Sequence, residues 1–123
     1  MKLSKHLRFI AYEIFSNYCR YDEDYQGWWL EIENVPETDL QRLASSIYLE
    51  NPDYAFEATS VENDSFDNNM VPSLITYLMN STNKDNEIEF KKEWLSGMTS
   101  YAMPIIKKLL NEARDDYNHE EAA

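Results

Sequence analysis

Apolar residues recur at helical intervals along the first eighteen positions. Leu3, Leu7, Ile10, Ile14 and Tyr18 are separated by four, three, four and four residues, which lines one face of a helix. Phe9 and Phe15 widen the stripe, while Lys5, Arg8 and Glu13 fall on the opposite face. The spacing predicts a helix over about residues 3–18. The pattern then changes. Tyr21-Asp22-Glu23-Asp24-Tyr25-Gln26-Gly27 reads as an acidic turn. After it, Trp28, Leu30 and Ile32 alternate with Trp29, Glu31 and Glu33, the period of a strand.

Pro36, followed by Glu37 and Asp39, opens a second helix, with acids where its dipole favours them. Leu40, Leu43, Ala44 and Ile47 form its apolar face, and Asn51-Pro52 ends it. Tyr54 to Val61 is read as a second strand, and Glu62 to Asn69 as an acidic loop. Pro72 starts a helix through Leu74, Ile75, Leu78 and Met79, and Asn80 to Asn86 is a polar turn. Trp94, Met98, Tyr101, Ile105 and Leu109 then keep helical spacing. Gly97 and Pro104 interrupt it, so either two helices meet near Met103 or one helix kinks there. Residues 115–123 are expected to fray. The predicted architecture is α+β, mostly helical, with a small two- or three-stranded sheet packed by terminal helices. The alternative is an all-α fold. Two strands paired across the middle helix would lie parallel, with a right-handed crossover. A two-strand sheet is marginal alone, so the terminal helices must cover one face.

Length and composition set bounds on this picture. The 123 residues suit one domain, 1–123. A hydrophobic share of 43%, with 14% aromatic, is enough to drive folding. With one cysteine, Cys19, no intrachain disulfide can form, and a reducing compartment is expected. The amphipathic start resembles no signal peptide, and no apolar run has membrane-spanning length, so a cytoplasmic protein without membrane contact is expected.

Charge is more informative than composition. The net charge is −12. From Tyr21 to Asn83 there are thirteen acids and one base, Arg42, so this segment alone carries −12. Solubility in a small domain needs a magnitude of only about 2–8. The surplus suits a basic partner, although charge alone is met slightly better by an acidic face that binds nothing.

The residues for chemistry are sparse. His6 and His119 lie at opposite ends of the chain from one another, and Cys19 beside Arg20 reads as a half-buried structural thiol. No zinc, phosphate-loop or calcium-loop spacing is present. Asp22-Glu23-Asp24 and Asp64-x-x-Asp67 could hold a hard cation, but a solvated loop is the better reading. No catalytic residue, metal ligand or cofactor is therefore assigned. Trp28, Trp29, Tyr21 and Tyr25 could stack nucleic-acid bases, but such platforms sit in positive grooves, so direct nucleic-acid binding is not expected. Trp28 and Trp94 are assigned to the core; Trp29, sharing a strand face with Glu31 and Glu33, is assigned to an interface.

Two stretches carry a family resemblance. Gly27-Trp28-Trp29-Leu30-Glu31-Ile32, Asp39-Leu40, Ile47, Tyr54-Ala55-Phe56-Glu57 and Glu62-Asn63-Asp64-Ser65-Phe66 resemble the first part of the ArdA antirestriction proteins of plasmids and transposons. Gly27, Trp29, Glu62, Asp64 and Phe66 match that pattern. Ala11-Tyr12-Glu13-Ile14 with Arg20-Tyr21-Asp22-Glu23, and Leu109-Leu110-Asn111-Glu112, are similar to Ocr, the DNA-mimic antirestriction protein of short-tailed coliphages. ArdA implies a mixed fold and Ocr a helical one. Both imply a DNA mimic, often dimeric, that inhibits type I restriction–modification enzymes. On that expectation Asp22, Glu23, Asp24, Glu31, Glu33, Glu37, Asp39, Asp53, Glu57, Glu62, Asp64 and Asp67 stand in for phosphates, and Tyr25 and Trp29 add contact area. The alternative from a different class is an immunity protein that neutralises a basic toxin or nuclease.

Overall fold

The computed structural model describes residues 1–61 and 92–122. Within them the chain is mostly helical, with one small antiparallel sheet. Helix α1 spans Lys5–Tyr18, strand β1 Arg20–Asp22 and strand β2 Gly27–Trp29. A 3-10 turn at Ile32–Asn34 leads into α2, Glu37–Glu50, then α3, Pro52–Val61. Helix α4 is a single helix over Lys92–Ala122. The acidic loop expected at Glu62 to Asn69, the helix expected from Pro72 and the polar turn after it lie outside the described residues.

Helix α1 starts where its sequence provides a cap. The Ser4 hydroxyl accepts the Leu7 N–H at 3.2 Å, satisfying one of the donors a helix start leaves free. Leu7, Ile10, Ala11, Ile14 and Phe15 are buried, as the stripe requires. Phe9, expected to widen that stripe, instead lies 64% exposed. Helix α2 buries Leu40, Leu43, Ala44, Ile47 and Tyr48, the predicted face with one aromatic added. Its end is fixed by the Asn51 side chain. The Asn51 Nδ2 donates to the Ile47 carbonyl at 2.9 Å and to the Lys2 carbonyl at 3.0 Å, and Oδ1 accepts the Lys2 N–H at 2.9 Å.

Helix α4, about 46 Å long at 1.5 Å per residue, is the spine against which α1, α2, α3 and β2 pack. Met98, Ala102, Ile106, Leu109, Leu110 and Ala113 form its buried face. Tyr101 and Ile105, expected on that face, flank it half-buried. A fully buried leucine or isoleucine contributes about 1.5–3 kcal/mol, so among the described residues the α1–α2–α4 core is the main source of stability. At one end, Tyr48 donates to the Met98 carbonyl at 2.6 Å and Tyr54 to the Tyr101 carbonyl at 2.9 Å. The Tyr48 and Tyr54 rings stack 5.5 Å apart.

Three expectations change, and at Pro104 the single-helix alternative holds over two helices. Tyr54 to Val61 is helix, not strand. Pro52 and Asp53 suit a helix start, and Ala55 and Ala58, three apart and wholly buried, let α3 lie close to its neighbours. That packing overrides the β preference of the tyrosine, threonine and valine. The sheet is accordingly a hairpin and not a parallel pair: Arg20 pairs with Trp29, Tyr21 with Trp28 and Asp22 with Gly27. Strand β2 stops at Trp29 because the residue opposite Leu30 is Cys19, the C-cap of α1, whose N–H is already given to the Phe15 carbonyl at 2.8 Å. Pro104 sits inside α4 without dividing it. Ser100, whose carbonyl loses its helical donor there, is exposed to solvent, so the missing bond is cheap. Finally, residues 115–122, expected to fray, are the last turns of α4. Tyr117 holds them, its ring 5.4 Å from Phe15 and 5.8 Å from Tyr12. Tyr12 also donates a short hydrogen bond to Glu120.

Candidate protein-binding surface

The predicted acidic turn is the tip of the β1–β2 hairpin. Asp22 shapes it: its Oδ1 accepts the N–H groups of Asp24 at 2.9 Å and Tyr25 at 3.0 Å, an Asx turn. Gln26 adopts a left-handed conformation, with φ at 58°, which a non-glycine residue adopts at some strain. Gly27 follows, and here the absence of a side chain is required by space. A Cβ would lie 2.8 Å from Asn118 Oδ1 and 3.2 Å from the Tyr25 ring.

Asn118 of α4 closes one edge of the hairpin. Its Oδ1 accepts the Trp28 N–H at 2.7 Å, and its Nδ2 donates to the Trp28 carbonyl at 2.9 Å and to the Arg114 carbonyl at 2.9 Å. One side chain thus completes β2 as a neighbouring strand would. Aromatic contacts reinforce the attachment. Trp28 meets Tyr117 edge-on at 5.9 Å and Tyr21 edge-on at 5.7 Å. The Arg114 guanidinium lies 5.2 Å from the Trp29 ring centre and 5.9 Å from that of Tyr25, within cation–π range. Tyr25 and Trp29 themselves touch at 4.9 Å.

Hollows surround this ridge. One of about 320 Å³ is lined by Tyr18, Arg20, Tyr21, Asp22, Glu23 and Trp29, with Glu31 and Asn34. A second, of about 510 Å³, lies among Tyr21, Tyr25, Gln26, Trp28, Asn118 and Glu121. A third, of about 200 Å³, has an apolar floor of Phe15, Leu30, Ile32 and Leu110 and carries charges of both signs, Glu31 and Glu33 against Lys107 and Arg114.

The candidate acids divide into groups. Asp22, Glu23 and Glu31 share one hollow, and Asp24 is exposed on the tip. Glu31 also accepts the Trp29 Nε1–H at 3.0 Å. Glu33 and Glu37 are exposed nearby in sequence. Asp39 accepts the Tyr18 hydroxyl at 2.6 Å, and that bond raises the Tyr18 pKa first, burial second. Asp53 and Glu57 are exposed on α3, beyond the far end of α2, a helix about 21 Å long. Hairpin and α3 acids therefore do not form one compact patch. Glu62, Asp64 and Asp67 lie outside the described residues. Tyr25, 45% exposed, and Trp29, half-buried, stand beside the hairpin acids.

Asn118, Arg114 and one acid escaped the sequence reading. Glu121 faces the hairpin across the second hollow because α4 continues. The signal for it was the run Ile106, Leu109, Ala113, Tyr117, which keeps three-to-four spacing through the supposed tail.

Among the described residues, no three or more histidines, cysteines or carboxylates are grouped as metal ligands would be. Burial, the largest influence, pushes the half-buried Cys19 thiol up, against a lowering hydrogen bond with Tyr117. A thiol so shifted is a poor nucleophile. No described helix is long and apolar enough to cross a membrane. No family model, curated protein or solved structure matches the chain.

Proposed function

We propose that this protein acts by binding and not by catalysis, as a DNA mimic that occupies the DNA-binding groove of a basic enzyme in the cytoplasm. The resemblance to antirestriction proteins makes a type I restriction–modification enzyme the target class. The observation that supports this most is the held hairpin. From Arg20 to Asp39 the chain has seven acids and one base, and α4 fixes that segment by a bidentate amide and a stacked guanidinium. Carboxylates held in place before binding spend less freedom on docking, and an unbalanced negative field speeds encounter with a positive groove. Duplex DNA offers one negative charge per about 1.7 Å of axis, the density such a face must approach.

The test is displacement of duplex DNA from a type I methyltransferase core, over a salt series. Displacement that weakens steeply with salt is the expected result. No displacement at low salt by a folded sample sinks the restriction-enzyme reading.

The second reading is an immunity protein for a basic toxin or nuclease. It is favoured by Tyr25 and Trp29 standing beside the hairpin acids at one end of the molecule, an aromatic anchor within a charge cluster. Charge reversals separate the two. Losses spread over the hairpin and α3 acids fit a duplex mimic, which docks as a homodimer or alone. Losses confined to the hairpin fit the local anchor.

A further inference from the structure

The hairpin has two edges, and the protein treats them differently. In an antiparallel pair, directly opposed residues alternate between those that bond each other and those whose N–H and C=O point outward. Trp28 turns both groups outward, to Asn118. Tyr21, its direct partner across the sheet, must therefore turn its own N–H and C=O to the opposite edge. No described residue covers that edge, and Tyr21 is 56% exposed. An open strand edge is a template for another strand. We propose that this edge of β1, open among the described residues, takes up an extended basic segment of the partner protein, added as a third strand against Tyr21.

Charge selects this occupant. The hollows on both sides of Tyr21 are acidic: Asp22, Glu23 and Glu31 line one, offset by Arg20 alone, and Glu121 lies in the other. A strand's side chains alternate between faces, so lysines or arginines at successive positions reach both hollows. A second copy of this chain would bring the same carboxylates together and is disfavoured. Backbone bonds then fix the register, while the acids select basic sequences. The inference rests on the proposed basic partner and adds how part of that partner is gripped.

Two synthetic peptides test it: a short one of successive lysines flanked by valines, so that both faces of the strand carry positive charge, and its twin N-methylated on the amides that would face β1. The full chain is titrated with each at low salt, following backbone amide exchange by NMR. The expected result is slowed exchange at the Tyr21 amide with the first peptide, and binding roughly tenfold weaker with the second, the scale of two backbone hydrogen bonds. Equal binding by both, without protection at Tyr21, overturns strand addition and leaves the basic-partner reading standing. Absence of binding by either also overturns it, and DNA displacement alone then decides the broader reading.

Discussion

Two asparagines make the same three hydrogen bonds in opposite parts of the molecule. Asn51 grips the N–H and C=O of Lys2 and bonds the Ile47 carbonyl; Asn118 grips the N–H and C=O of Trp28 and bonds the Arg114 carbonyl. In each case the third bond goes four residues back along a helix. The surroundings differ. The Lys2 clip is exposed, so water replaces its bonds when they break. The Trp28 clip is part-buried against Tyr117, so its loss strands backbone groups. Identical chemistry tethers an arm in one place and fixes a candidate binding surface in the other, because the penalty for an unmade bond depends on access to water.

The strongest way to break the comparison is to crowd the buried clip. Gly27→Ala places a methyl group against Asn118 and Tyr25. It should destabilise by about 2–3 kcal/mol, since overpacking and bond loss combine; urea denaturation measures it. Asn118→Ala should lose about 2 kcal/mol and loosen the hairpin, seen as faster amide exchange at Trp28. Asn51→Ala, by contrast, should lose only about 0.5–1 kcal/mol, and equal losses for the two asparagines would refute the burial argument. Arg114→Gln removes the guanidinium from Trp29 and Tyr25 and should lose about 0.5–1 kcal/mol, with a change in tryptophan emission.

The mildest effect is a pH dependence at the α1–α4 seam. The hydrogen bond to Glu120, then burial, pushes the Tyr12 hydroxyl up to about 12. A pKa raised on folding means the contact stabilises fully below the ordinary tyrosine value of 10.0 and is lost as pH rises through about 12. Tyr12→Phe should flatten that alkaline loss, measured by thermal unfolding against pH, while leaving the hairpin unchanged.

Legibility in the sequence followed the size of the apolar signal. Helices α1 and α2 were readable because large residues recur over several turns, and Pro36 marks the start of α2; the Ser4 cap of α1 came only from the structure. Among the described side chains of α3 the buried ones are Ala55 and Ala58, too small to register as a stripe, so its larger β-favouring residues misled. Strand β1 is three residues long, below the length at which alternation can be recognised. The candidate acids were legible as a composition, and their grouping was not: it depends on where α2 places α3, and on α4 continuing past residue 115. The two asparagine clips left no periodic trace, because each joins positions 49 or 90 residues apart.

The clasp at Asn118 requires an amide and not a carboxylate at that position. Hydrolysis of that amide to a carboxylate would change a single heavy atom and add one negative charge. The new group could still accept from Trp28 but would offer no N–H to the Trp28 and Arg114 carbonyls, repelling both. A molecule so changed would thus carry more of the charge that its partner is proposed to read, on a hairpin no longer clasped to the helix, so that its net charge would rise in magnitude while the held surface is lost.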